Sequence, residues 1–110
     1  MSIQTRRIKF THEDYLLFPE DGARHELVDG EHFMTPAPST RHQKISGKLF
    51  LFIANHLLRT KTGEVFCAPT DVIFSEFDIV QPDLLFISAA RASIITEKNI
   101  QGPPDFVIEI

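Results

Sequence analysis

The stretch "IVQPDLLFIS", Ile79–Ser88, is almost wholly apolar, yet it carries Pro82 and Asp83 side by side. Proline removes a donor from a β-ladder, so it is tolerated only at the start or edge of a strand. A carboxylate buried among apolar residues costs several kcal/mol unless something pairs with it. The stretch therefore reads as a buried strand with an acid at its mouth, and the acid needs a partner.

A second acid meets that need. In "DFVIEI", Asp105–Ile110, alternation places Phe106, Ile108 and Ile110 on one face and Asp105, Val107 and Glu109 on the other. Glu109 has apolar neighbours on both sides, which makes a solvent-facing role hard to explain. Two carboxylates converging from neighbouring strands repel each other and raise one pKa unless a cation lies between them. A hard divalent ion takes oxygen ligands, and Mg²⁺ uses one or two carboxylates plus water and phosphate oxygens. Asp83 and Glu109 so read as a Mg²⁺ site for phosphodiester hydrolysis. The alternative is that Asp83 ends a turn and Glu109 is solvated on an edge strand.

The rest of the chain supplies an α/β or α+β frame with a mixed sheet. Thr11 and Asp14 in "THEDYLLF" form a capping box for a short helix ending near Pro19. "HELVDGEHFMTPAP" reads as a β-hairpin turning at Asp29-Gly30, with Pro36 and Pro38 ending its second strand. A long helix follows, capped by Ser39 or Thr40 and running to Arg59 or Thr60. Ile45, Leu49, Phe52, Ile53, His56 and Leu57 define its core face, and Phe50, Leu51 and Leu58 widen that face, so deep packing is expected. Gly63 is the expected left-handed stop. "EVFCAP", "TDVIFS" and "VQPDLLFIS" read as three strands, "SAARASII" as a short helix capped by Ser88, "TEKNIQGPP" as a loop and "DFVIEI" as a last strand. The separation of the last two strands allows a parallel crossover between them.

Composition narrows the class. The chain has 110 residues, the size of one domain, with 43% hydrophobic and 24% charged residues, as in a soluble globular protein. The formal net charge of -4 carries no basic excess, so any contact with DNA must use a local patch. Cys67 is the one cysteine, which excludes an internal disulfide and points to a reducing compartment. The N-terminal "MSIQTRRIKF" has basic residues without an apolar core, so it is no signal peptide, and no apolar run reaches the roughly 20 residues of a membrane span. A cytoplasmic location is expected. The five histidines form no HExxH pattern, which argues against zinc.

A strand opened by "PD" and a later acid within "VIEI" resemble the PD-(D/E)xK restriction-endonuclease-like superfamily. "HELVDGEHFMTPAPSTRHQKISGKL" and "GPPDFVIEI" are similar to segments of one bacterial branch, the Uma-type endonucleases, and the resemblance runs from about Tyr15 to Ile110. It implies a restriction-endonuclease-like mixed sheet flanked by helices. It also implies a Mg²⁺- or Mn²⁺-dependent endonuclease acting on DNA. Asp83 and Glu109 would bind the metal, and the backbone carbonyl of Ile110 would add a ligand. Glu26 matches the acid of the N-terminal hairpin and would bind or orient the metal site through water; as an alternative it is an exposed hairpin charge. His42 matches the histidine at the helix start and would contact phosphate or orient an acid; as an alternative it is a satisfied core histidine.

The sequence departs from the superfamily pattern in one respect. The motif lysine that stabilises charge on the phosphate has no counterpart, because the sequence stops one residue after Glu109 and Lys98 matches no motif position. It reads as a domain cut short within an apolar strand, incomplete on its C-terminal side. Arg41, Lys44, Lys48 and Arg59 fall on one side of the long helix, where they would follow a phosphate backbone or serve as a solvated flank. Two functions are thus expected: a metal-dependent nuclease, poor or inactive where the motif lysine is lacking, or a non-catalytic homo-oligomer that associates through its unfinished sheet.

Overall fold

The structure, a computed structural model, describes residues 8–110. Most of the basic N-terminal segment, at 1–7, lies outside the described residues. In chain order the elements are α1 (His12–Tyr15), β1 (Arg24–Val28), β2 (Glu31–Thr35), α2 (Thr40–Thr60), β3 (Gly63–Cys67), β4 (Val72–Ser75), β5 (Asp78–Val80), β6 (Leu84–Ser88), a 3-10 helix (Ala89–Ile94), β7 (Ile100–Gln101) and β8 (Phe106–Ile108). The expected α+β class is observed, with the strands divided between two sheets. The first has the order β2-β1-β5-β4-β7 and the second β3-β6-β8.

The stretch Ile79–Ser88 is therefore two strands rather than one. Ile79 pairs with Leu27 of β1 and Ile73 of β4 in the first sheet, while β6 runs between β3 and β8 in the second. Gln81, Pro82 and Asp83 form the joint. Pro82 has no N–H to continue the first ladder, and the residue before a proline is held extended, so the chain can leave one sheet and enter the other without turning back. Val72, Leu85, Ile87 and Ile100 are buried together and bring strands of both sheets into one cluster. A second cluster, Tyr15, Leu27 and Ile79, fixes α1 to the first sheet.

Local chemistry accounts for several elements. Thr11 and Asp14 form the reciprocal capping box expected for α1. Asp29 and Gly30 adopt φ values of 50° and 73°, the two left-handed positions of a tight hairpin turn. Ser39 caps α2 by accepting the His42 N–H at 3.1 Å.

Other expectations are corrected. The left-handed cap of α2 is Lys61, at φ 55°, not Gly63. Gly63 opens β3 and is required for another reason: a Cβ there would lie 2.6 Å from the Phe86 ring and against the Ile87 carbonyl. The segment read as a loop, "TEKNIQGPP", contains β7, which pairs in parallel with β4. β6 and β8 are antiparallel, so the expected parallel crossover is absent. The segment after Ser88 is a 3-10 helix, and the Ser88 side chain does not cap it. The long helix is not deeply packed. Leu57 is its buried residue, while Phe52 is 78% exposed and Leu58 76%. No helix of the described residues is long and apolar enough to cross a membrane.

Candidate active site at the joint between the sheets

Asp83 is buried at the joint, 2% exposed, where β6 begins. Its backbone N–H donates to Glu109 Oε1 at 3.1 Å, and its own Oδ2 accepts the Ile110 N–H at 2.8 Å. The antiparallel β6–β8 register makes this exchange possible, because Leu84 lies opposite Ile108 and the next residues on each strand meet beyond that pair. The two acids expected to converge do so. The expectation that Glu109 is withdrawn from solvent is corrected: its side chain is 57% exposed, because β8 is the edge strand of its sheet.

Three further groups surround Asp83. Arg24 donates from Nη2 to Asp83 Oδ1 at 3.0 Å and from Nη1 to the Gln81 carbonyl at 2.8 Å. Arg24 Nη1 also lies 3.6 Å from Glu109 Oε2. His42, in the first turn of α2, places Nε2 3.2 Å from Asp83 Oδ2. Burial pushes the Asp83 carboxyl up, but the Ile110 N–H, His42 and Arg24 outweigh it and hold the group below the usual carboxylate range. Asp83 is thus ionised although buried, as a charge paired on every side can be.

Glu26 stands one residue removed. Its Oε2 accepts the Gln81 N–H at 2.7 Å, and it makes no hydrogen bond to Asp83 or Glu109. Gln81 reaches further with its side chain, donating to Asp71 Oδ1 at 2.8 Å and to the Tyr15 hydroxyl at 3.1 Å. Tyr15 donates to the same Asp71 oxygen at 2.6 Å. Burial, then the Asp71 carboxylate, pushes the Tyr15 phenol well above its ordinary value, so it remains a donor. This network clamps both sides of Gln81 and so fixes the residue that leads into Pro82-Asp83. Tyr15, Arg24, His42, Asp71, Gln81 and Asp83 line one cleft of about 710 Å³ between α2 and the joint.

The basic residues of α2 do not join the site. Arg41, Lys44, Lys48 and Arg59 are exposed. With about 100° between successive residues, Lys44 points roughly 200° away from His42, which faces Asp83. Lys98 lies in an exposed turn closed by the Thr96 N–H donating to the Asn99 carbonyl at 2.9 Å. Among the described residues no group of three or more His, Cys, Asp or Glu is disposed to hold a metal ion.

Arg24, Tyr15, Asp71 and Gln81 were not singled out from the sequence. Arg24 left a signal, since strand alternation in "RHELV" puts Arg24 and Glu26 on the face opposite His25 and Leu27, which are the buried ones. Tyr15, Asp71 and Gln81 left none, because they meet only through the tertiary fold.

Two sheets flanked by helices, with acids at neighbouring strand ends, make an α+β fold whose likeness is to nucleases. A crystal structure of a putative nuclease belonging to DUF820 from Anabaena variabilis ATCC 29413 superposes on 91% of the chain with a TM-score of 0.73 at 20% identity. The chain spans 57% of that protein's length. Residues 12–110 match the Uma2 family, described as "Putative restriction endonuclease", and the chain belongs to that family. No curated protein matches it significantly.

Proposed function

We propose that the chain is a metal-dependent endonuclease domain that hydrolyses DNA phosphodiester bonds at Asp83 and Glu109. The observation that carries this reading is the exchange of hydrogen bonds between the acids. Each carboxylate is held by a backbone N–H at or beside the other, Asp83 N–H to Glu109 and Ile110 N–H to Asp83. Two acids fixed in this way are the kind and number of protein ligand that Mg²⁺ takes, so the donor set fits the ion, with Mn²⁺ as a substitute. The carbonyl of Ile110 is the proposed third oxygen. Bound there, Mg²⁺ would polarise the scissile phosphate and lower the pKa of a water ligand.

The chain's own groups prepare that chemistry. Asp83 contributes a buried charge that is ionised before any ligand arrives. Glu109, more than half exposed, leaves the outer side of the pair open to a substrate. His42 is proposed to orient Asp83 from the α2 side, and Glu26 to fix the joint by holding Gln81. Arg41, Lys44 and Lys48 are proposed to attract the phosphate backbone away from the cut, without base specificity.

The test is nicking of supercoiled plasmid in Mg²⁺. Slow cleavage is expected in the wild type, which lacks the lysine that stabilises charge on the phosphate, and it should be lost on chelation and in Asp83→Ala and Glu109→Ala. Nicking that persists undiminished in both variants would overturn the reading.

A further inference from the structure

Each acid of the pair has one oxygen committed to the backbone and one left over. Asp83 Oδ2 accepts the Ile110 N–H and faces His42, and Glu109 Oε1 accepts the Asp83 N–H. The remaining oxygens are Asp83 Oδ1 and Glu109 Oε2. Both face the same guanidinium: Arg24 Nη2 is 3.0 Å from the first and Nη1 3.6 Å from the second. The oxygens available to a cation are thus the two that Arg24 holds.

We infer that Arg24 is a built-in counter-ion for the Asp83–Glu109 pair, and that a divalent metal ion and the Arg24 guanidinium take this position in exchange. The inference rests on the metal-site reading above. A guanidinium and a dication compete for the same two oxygens, because they repel each other at that range. The bridge is also unequal. Its Asp83 end is buried and within hydrogen-bonding distance, whereas its Glu109 end is long and reaches a solvent-exposed carboxylate, where ion pairs contribute little. The Gln81 carbonyl gives Arg24 Nη1 an anchor besides the acids, at 2.8 Å. In the metal-free protein Arg24 offsets one of the two carboxylate charges and, with the Ile110 N–H and His42, helps keep the buried Asp83 ionised. The cost falls on metal affinity, which is reduced by the fraction of molecules with Arg24 in place.

Arg24→Met keeps the unbranched stem of the side chain and removes the guanidinium with its charge. If Arg24 fills the position in nine molecules of ten, Mn²⁺ should bind Arg24→Met about tenfold more tightly than wild type in calorimetric titration. Arg24→Lys keeps the charge without the planar fork that spans two acids, and should fall between the two. A direct reading comes from the wild type itself. The Nε–H resonance of Arg24 in the wild type, assigned by its loss in Arg24→Lys, should move on saturation with Mg²⁺.

Equal or weaker Mn²⁺ binding by Arg24→Met, or an Arg24 resonance unmoved by saturating Mg²⁺, would overturn the exchange and leave the metal site standing. Absence of binding by wild type and both variants would overturn the metal site itself. Tighter binding by Arg24→Met together with a moved resonance supports the exchange.

Discussion

Pro82 has no N–H to give, and the ladder of β5 stops at Val80 and restarts in another sheet at Leu84. The sequence shows a proline and an acid in an apolar run. That the run is two strands follows only from what each half pairs with, and those partners lie far away in the chain. Gly63 teaches the same lesson. Its place after a helix suggests a cap, but its need is set by the Phe86 ring, stacked on Phe106 with centroids 5.0 Å apart, and by the Ile87 carbonyl across the ladder. Neither can yield easily to a new Cβ. Gly63→Ala should therefore destabilise the protein by about 1–3 kcal/mol in urea unfolding. Gly47, inside α2 with nothing near its missing Cβ, is the control: Gly47→Ala should be neutral or stabilising by up to about 1 kcal/mol. A loss at Gly47 equal to that at Gly63 would contradict the steric account.

At the scale of elements, the hairpin and the caps of α1 and α2 were legible because their signals are local. The facing of α2 was not. Apolar residues occupy most of its circumference, so periodicity admits more than one inner face. The face that packs inward carries His42, Ser46, Leu49, Phe50, Ile53 and Leu57, and leaves Ile45 and Phe52 exposed. The 3-10 helix depends on a contact that its own sequence does not contain. Asp105 accepts the Ser88 N–H at 2.9 Å and pairs with Arg91 at 3.1 Å, tying the helix start to the segment entering β8. The Ser88 N–H and Arg91 together hold the Asp105 carboxyl below the usual range. A depressed folded pKa means that this contribution is complete above the ordinary carboxylate pKa and is lost as pH falls through the lower, folded value. Hydrogen exchange at the Ser88 amide should accelerate over that acid window relative to the β6 core amides, and Asp105→Asn should show the faster exchange already at neutral pH. Unchanged protection of Ser88 in Asp105→Asn would show that the tie is idle.

For the whole molecule, the sequence carried the two acids and the order of segments around them, and the structure brings those acids together at the joint between its sheets. It did not carry the cation. Arg24 comes from β1, Asp83 from the start of β6 and Glu109 from just beyond β8, so their meeting requires both sheets to be assembled. Tyr15, Asp71 and Gln81 likewise converge only once α1 packs on the first sheet. Of the two acids of the proposed divalent-ion site, Glu109 is the better position to probe because its exposure separates ligand chemistry from folding. The most direct measurement is calorimetric titration of Mn²⁺ into the wild type and Glu109→Gln at neutral pH. One binding site in the wild type, weakened about tenfold or more in the variant by loss of one ligand charge, is the predicted result. Equal affinity in the two proteins, or no binding to the wild type, would contradict it.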